Sequence, residues 1–237
     1  MSLDKYVEEL VEDSLDNTNR FISKIHPDMD LNYNSFNISL GDQSSGKTIH
    51  FMKQMIKLSV LMDEGQVDPN NFGDILYITD NEDDYSFSQL MQYISLPIKK
   101  ANYESFQEQF AQYLAKKSAN PNEKDRQTIV FCDDASFFFS NGNNKFLKYL
   151  TQLRHIKCIF FLCLQMWKSL AASIKSQLTT VFIAPGFSRE QLGHVYRQIV
   201  CKPDFEQFIK IYKKIPGKRA KLMCNKDGTL RYVNKLA

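Results

Sequence analysis

Gly41-Asp42-Gln43-Ser44-Ser45-Gly46-Lys47-Thr48 decides the fold class. The stretch meets the spacing GxxxxGK[ST] at every fixed position. Its flanks agree: residues 36–40 read as a short strand, and residues 46–63 read as a helix. Glycines let the chain curl so that successive N–H groups point at one centre, and the following helix adds its positive end. Such a centre holds phosphate. Gly41, Asp42, Gln43, Ser44, Ser45, Gly46, Lys47 and Thr48 are therefore the candidate nucleotide contacts. Lys47 is expected to reach the β- and γ-phosphates, and the Thr48 hydroxyl to ligate Mg²⁺. ATP and Mg²⁺ are the expected cofactors.

A phosphate-loop nucleotidase also needs a carboxylate at the end of a second strand. Residues 128–132 are wholly apolar apart from Thr128 and run into Asp133-Asp134. Asp133 is the expected metal-side acid, and Asp134 the acid that polarises the attacking water. Asp80 closes another apolar strand, residues 75–79, and is expected to serve structure or substrate contact rather than metal. A third strand, residues 158–164, ends at Gln165, an amide placed to sense the γ-phosphate or orient water. Arg154, just before that strand, is the candidate arginine that reaches a neighbouring subunit's nucleotide; Arg189 and Arg197 are its rivals.

Further along, residues 180–184 read as a fourth strand, and residues 188–200 and 204–215 as helices with caps at Ser188 and Asp204. Residues 220–224 and 230–233 suggest a terminal hairpin. Residues 85–94, 103–118 and 145–154 read as further helices. Residues 3–25 carry early helical spacing and read as an acidic amphipathic helix. Apolar strands alternating with helices predict an α/β fold with a mainly parallel central sheet. The expected division is an N-terminal arm over 1–33, an ATPase core over 34–186, and a basic C-terminal extension of the same domain over 187–237.

The chain has 237 residues, 43% hydrophobic and 24% charged, with 9 Gly and 7 Pro. This suits one large domain and excludes wholesale disorder. No apolar run approaches the roughly 20 residues of a membrane span, and the acidic start is unlike a secretory signal. The five cysteines lack paired spacing and are expected to be reduced thiols, three of them in apolar runs; the scattered histidines argue against a zinc site. Net charge is +3, but residues 202–237 hold ten Lys or Arg against three acids. That segment is +7, which leaves −4 for residues 1–201. A basic end on an acidic chain points to a polyanion partner. Asn225-Lys226-Asp227-Gly228 has its Asp one position too early for the base-reading NKxD motif of GTPases.

Taken together, GDQSSGKT, TIVFCDD, the LRH element and the strand ending in Gln165 resemble the FtsK–HerA superfamily of DNA-pumping ATPases. Within it the chain is similar to the genome-packaging ATPases of DNA viruses, of poxvirus, giant-virus, virophage and tailless archaeal-virus type. The resemblance covers about residues 36–184. It implies an ASCE, RecA-like phosphate-loop fold, in which an extra strand lies between the loop strand and the acidic strand; residues 75–79 are the candidate. It further implies ATP hydrolysis, a homo-oligomeric ring of five or six subunits, double-stranded DNA read without sequence preference, and a capsid or vertex protein as partner. The implied location is host cytoplasm or viral factory. The competing readings are a phosphate-loop kinase acting on a nucleoside or nucleotide, another ASCE motor such as a helicase-like ATPase or loader, and a non-catalytic nucleotide-binding scaffold. Intact Lys47, Thr48, Asp133 and Asp134 speak against the last.

Overall fold

The computed structural model describes residues 23–82, 84–136, 138–139, 146–199 and 202–233. The expected N-terminal helix falls almost wholly outside these residues. The strands are β1 (Phe36–Leu40), β2 (Phe72–Ile78), β3 (Ile98–Ala101), β4 (Gln127–Cys132), β5 (Cys158–Leu164), β6 (Thr180–Ile183), β7 (Lys221–Asn225) and β8 (Leu230–Val233). The helices are α1 (Lys47–Asp63), α2 (Tyr85–Tyr93), α3 (Tyr103–Ala119), α4 (Leu147–Leu150), α5 (Leu153–Ile156), α6 (Ala172–Lys175), α7 (Arg189–Tyr196) and α8 (Phe205–Lys213).

The strands form one sheet in the order β3-β2-β4-β5-β1-β6-β7-β8. The six from β3 to β6 run parallel, and the β7–β8 hairpin adds antiparallel to β6. The centre is occupied by the most apolar strand: all seven residues of β5, CIFFLCL, are buried. A strand covered on both faces has to read this way. Alternate residues feed two cores. Ile38, Val130, Phe160, Leu162 and Val181 pack with Phe106 and Phe110 of α3 and Phe208 of α8. Tyr77, Phe131, Phe161, Cys163 and Phe182 pack with Phe51, Met55 and Leu58 of α1 on the other face. The result is a three-layer helix–sheet–helix sandwich, as expected of the fold class.

The topology corrects one expectation. The strand lying between the loop strand β1 and the acidic strand β4 is β5, whereas β2 lies on the outer side of β4. Chain order and spatial order differ because β5, which follows β4 in the chain, pairs with β4 on one side and β1 on the other. A second strand, β3, also separates the loop from β4 in the chain. It is short and polar, with Lys99 and Lys100 exposed at the sheet edge, where lysines discourage further pairing.

The helix expected over 145–154 is two short ones in the described residues, α4 and α5, broken at Thr151 and Gln152; Gln152 takes φ −118° and ψ 18°. Lys157 then adopts φ 51° to turn the chain into β5. The caps of α7 and α8 fall where expected. Ser188 and Asp204 accept from the backbone N–H of Gln191 and Gln207, and those glutamines bond back to the cap residues. The C-terminal extension is thus built into the sheet rather than appended to it.

Candidate active site

Parallel strands of an α/β sheet present their carboxyl ends as the binding edge. β1 delivers Gly41 to that edge, where its N–H donates to the Leu164 carbonyl (3.0 Å). A Cβ on Gly41 would lie 2.3 Å from Ser45 Oγ and 2.8 Å from Ala184 Cβ. Only glycine allows the loop to fold back this closely. The turn needs left-handed backbone at Ser44 (φ 64°) and Gly46 (φ 74°). α1 then begins with no side-chain cap and no acid in its first turn. Its leading N–H groups and positive end are left for an anion.

Lys47 Nζ donates to the carbonyls of Gly41 (2.8 Å) and Asp42 (2.9 Å), so the ammonium is held at the mouth of its own loop. Thr48 Oγ1 lies 3.0 Å from both carboxylate oxygens of Asp133. The helix start and the acidic strand end therefore meet at one oxygen cluster. Burial pushes the Asp133 carboxyl above its usual range, the Thr48 hydrogen bond pulls it back, and the nearby Asp84 charge pushes it up again. A half-buried carboxylate beside a hydroxyl is the hard oxygen donor set that suits Mg²⁺, so Thr48 and Asp133 fit that ion. The uncapped helix start and Lys47 fit the phosphates.

Asp133 is held by its surroundings. Its N–H donates to the Ile78 carbonyl (2.9 Å), and the Tyr103 hydroxyl donates to the Asp133 carbonyl (2.6 Å). Asp80 accepts the N–H of Tyr103, the first residue of α3, at 3.0 Å. Asp80 thus fastens α3 and is a structural acid here. Asp84, not singled out in the sequence, is buried; it caps α2 and accepts from the Tyr77 hydroxyl (2.7 Å).

Asp134 turns outward in left-handed backbone (φ 48°). Its Oδ1 accepts from Gln165 Nε2 (3.1 Å), and the Gln165 N–H donates to Ser136 Oγ (3.0 Å). β4 and β5 are neighbours, so the second acid and the strand-end amide come together across adjacent carboxyl ends. Lys47, Thr48, Asp133, Asp134 and Gln165 all sit at this edge.

Arg154 does not. It lies in α5, before β5 starts, in a cavity lined also by His155, Gln177 and Lys226 at the amino edge of the sheet. The length of β5, roughly 20 Å at about 3.3 Å per residue, separates it from the phosphate loop of the same chain. Arg154 therefore does not reach a nucleotide held by the loop of its own chain. Arg189 opens α7 just after β6, at the carboxyl edge, where it pairs with Glu206 and covers the Phe205 ring. Arg197 contacts His194 one turn back in the chain (2.8 Å).

One residue at the site had no signal in the sequence. Lys221, the first residue of β7, is fully buried. Its Nζ donates to the carbonyls of Ser45 (2.9 Å) and Gly46 (3.3 Å), and burial pulls its pKa down to about 8. In the sequence it is one base among the ten of residues 202–237. Arg231 is a second of these that serves structure, binding Asp30 (2.7 Å). The basic segment is therefore not wholly a surface for a polyanion. Among the described residues no cluster of three His, Cys, Asp or Glu could hold a metal, and no helix is long and apolar enough to cross a membrane. Cys132, Cys158 and Cys163 are buried, and burial pushes each thiol's pKa up.

No known protein family's sequence pattern matches the chain, and no curated protein matches it. Solved structures do. The genome packaging NTPase B204 of Sulfolobus turreted icosahedral virus 2, in complex with ATP-gammaS, is similar with a TM-score of 0.64 and 13% identity. The match covers 86% of this chain and 98% of that one. B204 described as the DNA-packaging ATPase of Sulfolobus turreted icosahedral virus is similar with a TM-score of 0.62 and 14% identity, covering 86% and 98%. The cytoplasmic domain of the type VII secretion ATPase EccC of Thermomonospora curvata is similar with a TM-score of 0.58 and 11% identity, covering 83% of this chain and 25% of that one. At these identities the likeness is one of fold, and the fold is that of phosphate-loop ATPases, genome-packaging ones among them.

Proposed function

We propose that this chain is an ATP-hydrolysing motor that drives double-stranded DNA into a preformed viral capsid. The observation that carries the reading is the meeting of Thr48 with both oxygens of Asp133, with the Asp134–Gln165 pair beside it. A passive binder has no call for a second acid; a kinase would use one to accept the proton of its acceptor hydroxyl, and stimulation of hydrolysis by duplex DNA separates that reading from the motor. The fold supports the motor, since nearly the whole of a genome packaging NTPase superposes on this chain.

In this reading the loop of residues 41–48 cradles the triphosphate, with the N–H groups at the start of α1 turned to it; the Gly41 N–H stays on the Leu164 carbonyl. Lys47 turns from its own carbonyls to the β- and γ-phosphates. Thr48 and Asp133 would hold Mg²⁺, which would neutralise charge on the phosphate oxygens. Asp134 accepts a proton from the attacking water, and Gln165 fixes the orientation of that carboxylate. The active unit is a homo-oligomeric ring of five or six copies, in which an arginine from the neighbouring subunit completes the site. Exposed lysines contact the DNA phosphates, a contact that is independent of sequence and weakened by salt. The motor works in host cytoplasm or a viral factory, docked on a capsid or vertex protein.

The test is steady-state ATP hydrolysis with and without duplex DNA at low salt, with Lys47→Ala as the blank. Strong stimulation by duplex of any sequence, fading as salt is added, is expected. Hydrolysis indifferent to DNA would defeat the reading.

A further inference from the structure

Lys221 reaches the phosphate loop from behind. The carbonyls it binds belong to the peptide units Ser45–Gly46 and Gly46–Lys47. The opposite ends of those units are the N–H groups of Gly46 and Lys47, at the uncapped start of α1. A cation on the oxygen end of a peptide fixes its orientation and draws charge from its N–H end, which makes that N–H a better anion donor. The Gly46 carbonyl is also the first acceptor of α1, taking the His50 N–H (3.0 Å).

The other strand of the hairpin grips the same helix one turn further on. Arg231 donates to the Met29 carbonyl and to Asp30, and Asp30 accepts from Gln54 Nε2 (2.9 Å) and lies 3.5 Å from His50 Nε2. The hairpin thus fixes both the loop and the first turns of α1. An apolar side chain at position 221 would suit the neighbouring Met223 and Phe182. A buried ammonium costs more than it returns in stability, so a role in ligand binding accounts better for its presence than packing does.

We propose that Lys221 is a positioning residue of the nucleotide site. It holds the Ser45–Gly46 and Gly46–Lys47 peptides with the N–H groups of Gly46 and Lys47 turned to the phosphates, which makes the C-terminal hairpin part of that site. The proposal rests on the nucleotide-site reading above.

The experiment compares wild type, Lys221→Met, Lys221→Gln and Lys47→Ala. Binding of a fluorescent ADP analogue, KM and kcat for ATP, and the melting temperature of each protein are measured. Lys221→Met is expected to bind about tenfold more weakly and to raise KM to match, with kcat at saturating ATP within about threefold of wild type; one charged hydrogen-bonding group is commonly worth that much. Lys221→Gln, which keeps a donor without the charge, is expected to fall between and serves if the Met variant does not fold. A merely structural lysine would lower the melting temperature and leave the affinity of the folded protein unchanged, and wild-type affinity in either folded variant overturns the proposal. Nucleotide binding by wild type that is lost in Lys47→Ala keeps the underlying reading separate from this result. Failure of wild type itself to bind overturns that reading and the proposal with it.

Discussion

The same lysine makes a prediction about the ligand-free protein with the opposite sign. Burial holds the Lys221 ammonium at about 8, against an ordinary 10.5, with Lys47 and Lys53 pushing the same way and Cys163 opposing. Between these two values the unfolded chain binds more protons than the folded one, so stability rises with pH across that window. The charged lysine costs about 3 kcal/mol at pH 7 and about 1.4 kcal/mol at pH 9.5, taking 1.36 kcal/mol for each tenfold change in proton affinity. Lys221→Met carries no such cost at any pH. The stability of wild type relative to the variant should therefore rise by about 2 kcal/mol between pH 7 and pH 9.5. Urea unfolding of both proteins at pH 7, 8.5 and 9.5 measures it. Burial also raises the hydroxyl pKa of Tyr77 and Tyr103, which pulls stability the other way at high pH, but both proteins share those groups and the difference removes them. A wild-type-minus-variant difference that stays flat with pH would refute the reasoning.

Other substitutions separate the remaining roles. Asp134→Asn should keep ATP affinity while turnover falls by a factor on the order of a thousand, a single-turnover measurement deciding it. Gly41→Ala should destabilise the fold by about 1–3 kcal/mol, because its Cβ must displace Ser45 and Ala184; thermal melting reads the loss, and an unchanged melting temperature would show that the loop yields. Arg154→Ala is expected to abolish turnover, with wild-type subunits mixed in restoring part of it. Unaltered turnover in the pure variant would remove Arg154 as the arginine that acts between subunits and direct the same test to Arg189, which stands at the carboxyl edge.

Local chemistry was easiest to read. Phe36–Leu40, with apolar and polar residues alternating, and the apolar run Cys158–Leu164 are strands with the bounds their patterns announce, and the helix after the loop ends at Asp63 as its pattern does. Relations across the chain were not legible. Ile98–Ala101 is a strand only because its backbone registers with Ile75–Ile78; its two exposed lysines and four-residue length carry no strand pattern. β2 starts at Phe72 rather than at 75, since Gly73 and Asp74 look like loop residues and are drawn into the sheet, where Asp74 meets Lys99 and Tyr113. At the site, the Asp134–Gln165 contact follows from β4 and β5 being neighbours, and no spacing in the chain encodes that. Lys221 was hidden for the same reason, as a buried lysine 176 positions from the Ser45 carbonyl it holds. Only the antiparallel return of the hairpin beside β6 brings the two together.

A DNA pump must move along its track, and displacement of a triplex-forming oligonucleotide from duplex DNA measures that movement directly. Wild type with ATP is expected to displace the third strand in a reaction that needs hydrolysis, proceeds on any flanking sequence, and disappears with Lys47→Ala and Asp134→Asn. ATP hydrolysis stimulated by duplex but leaving the triplex in place would contradict it, and would make the chain a DNA-responsive ATPase rather than a motor.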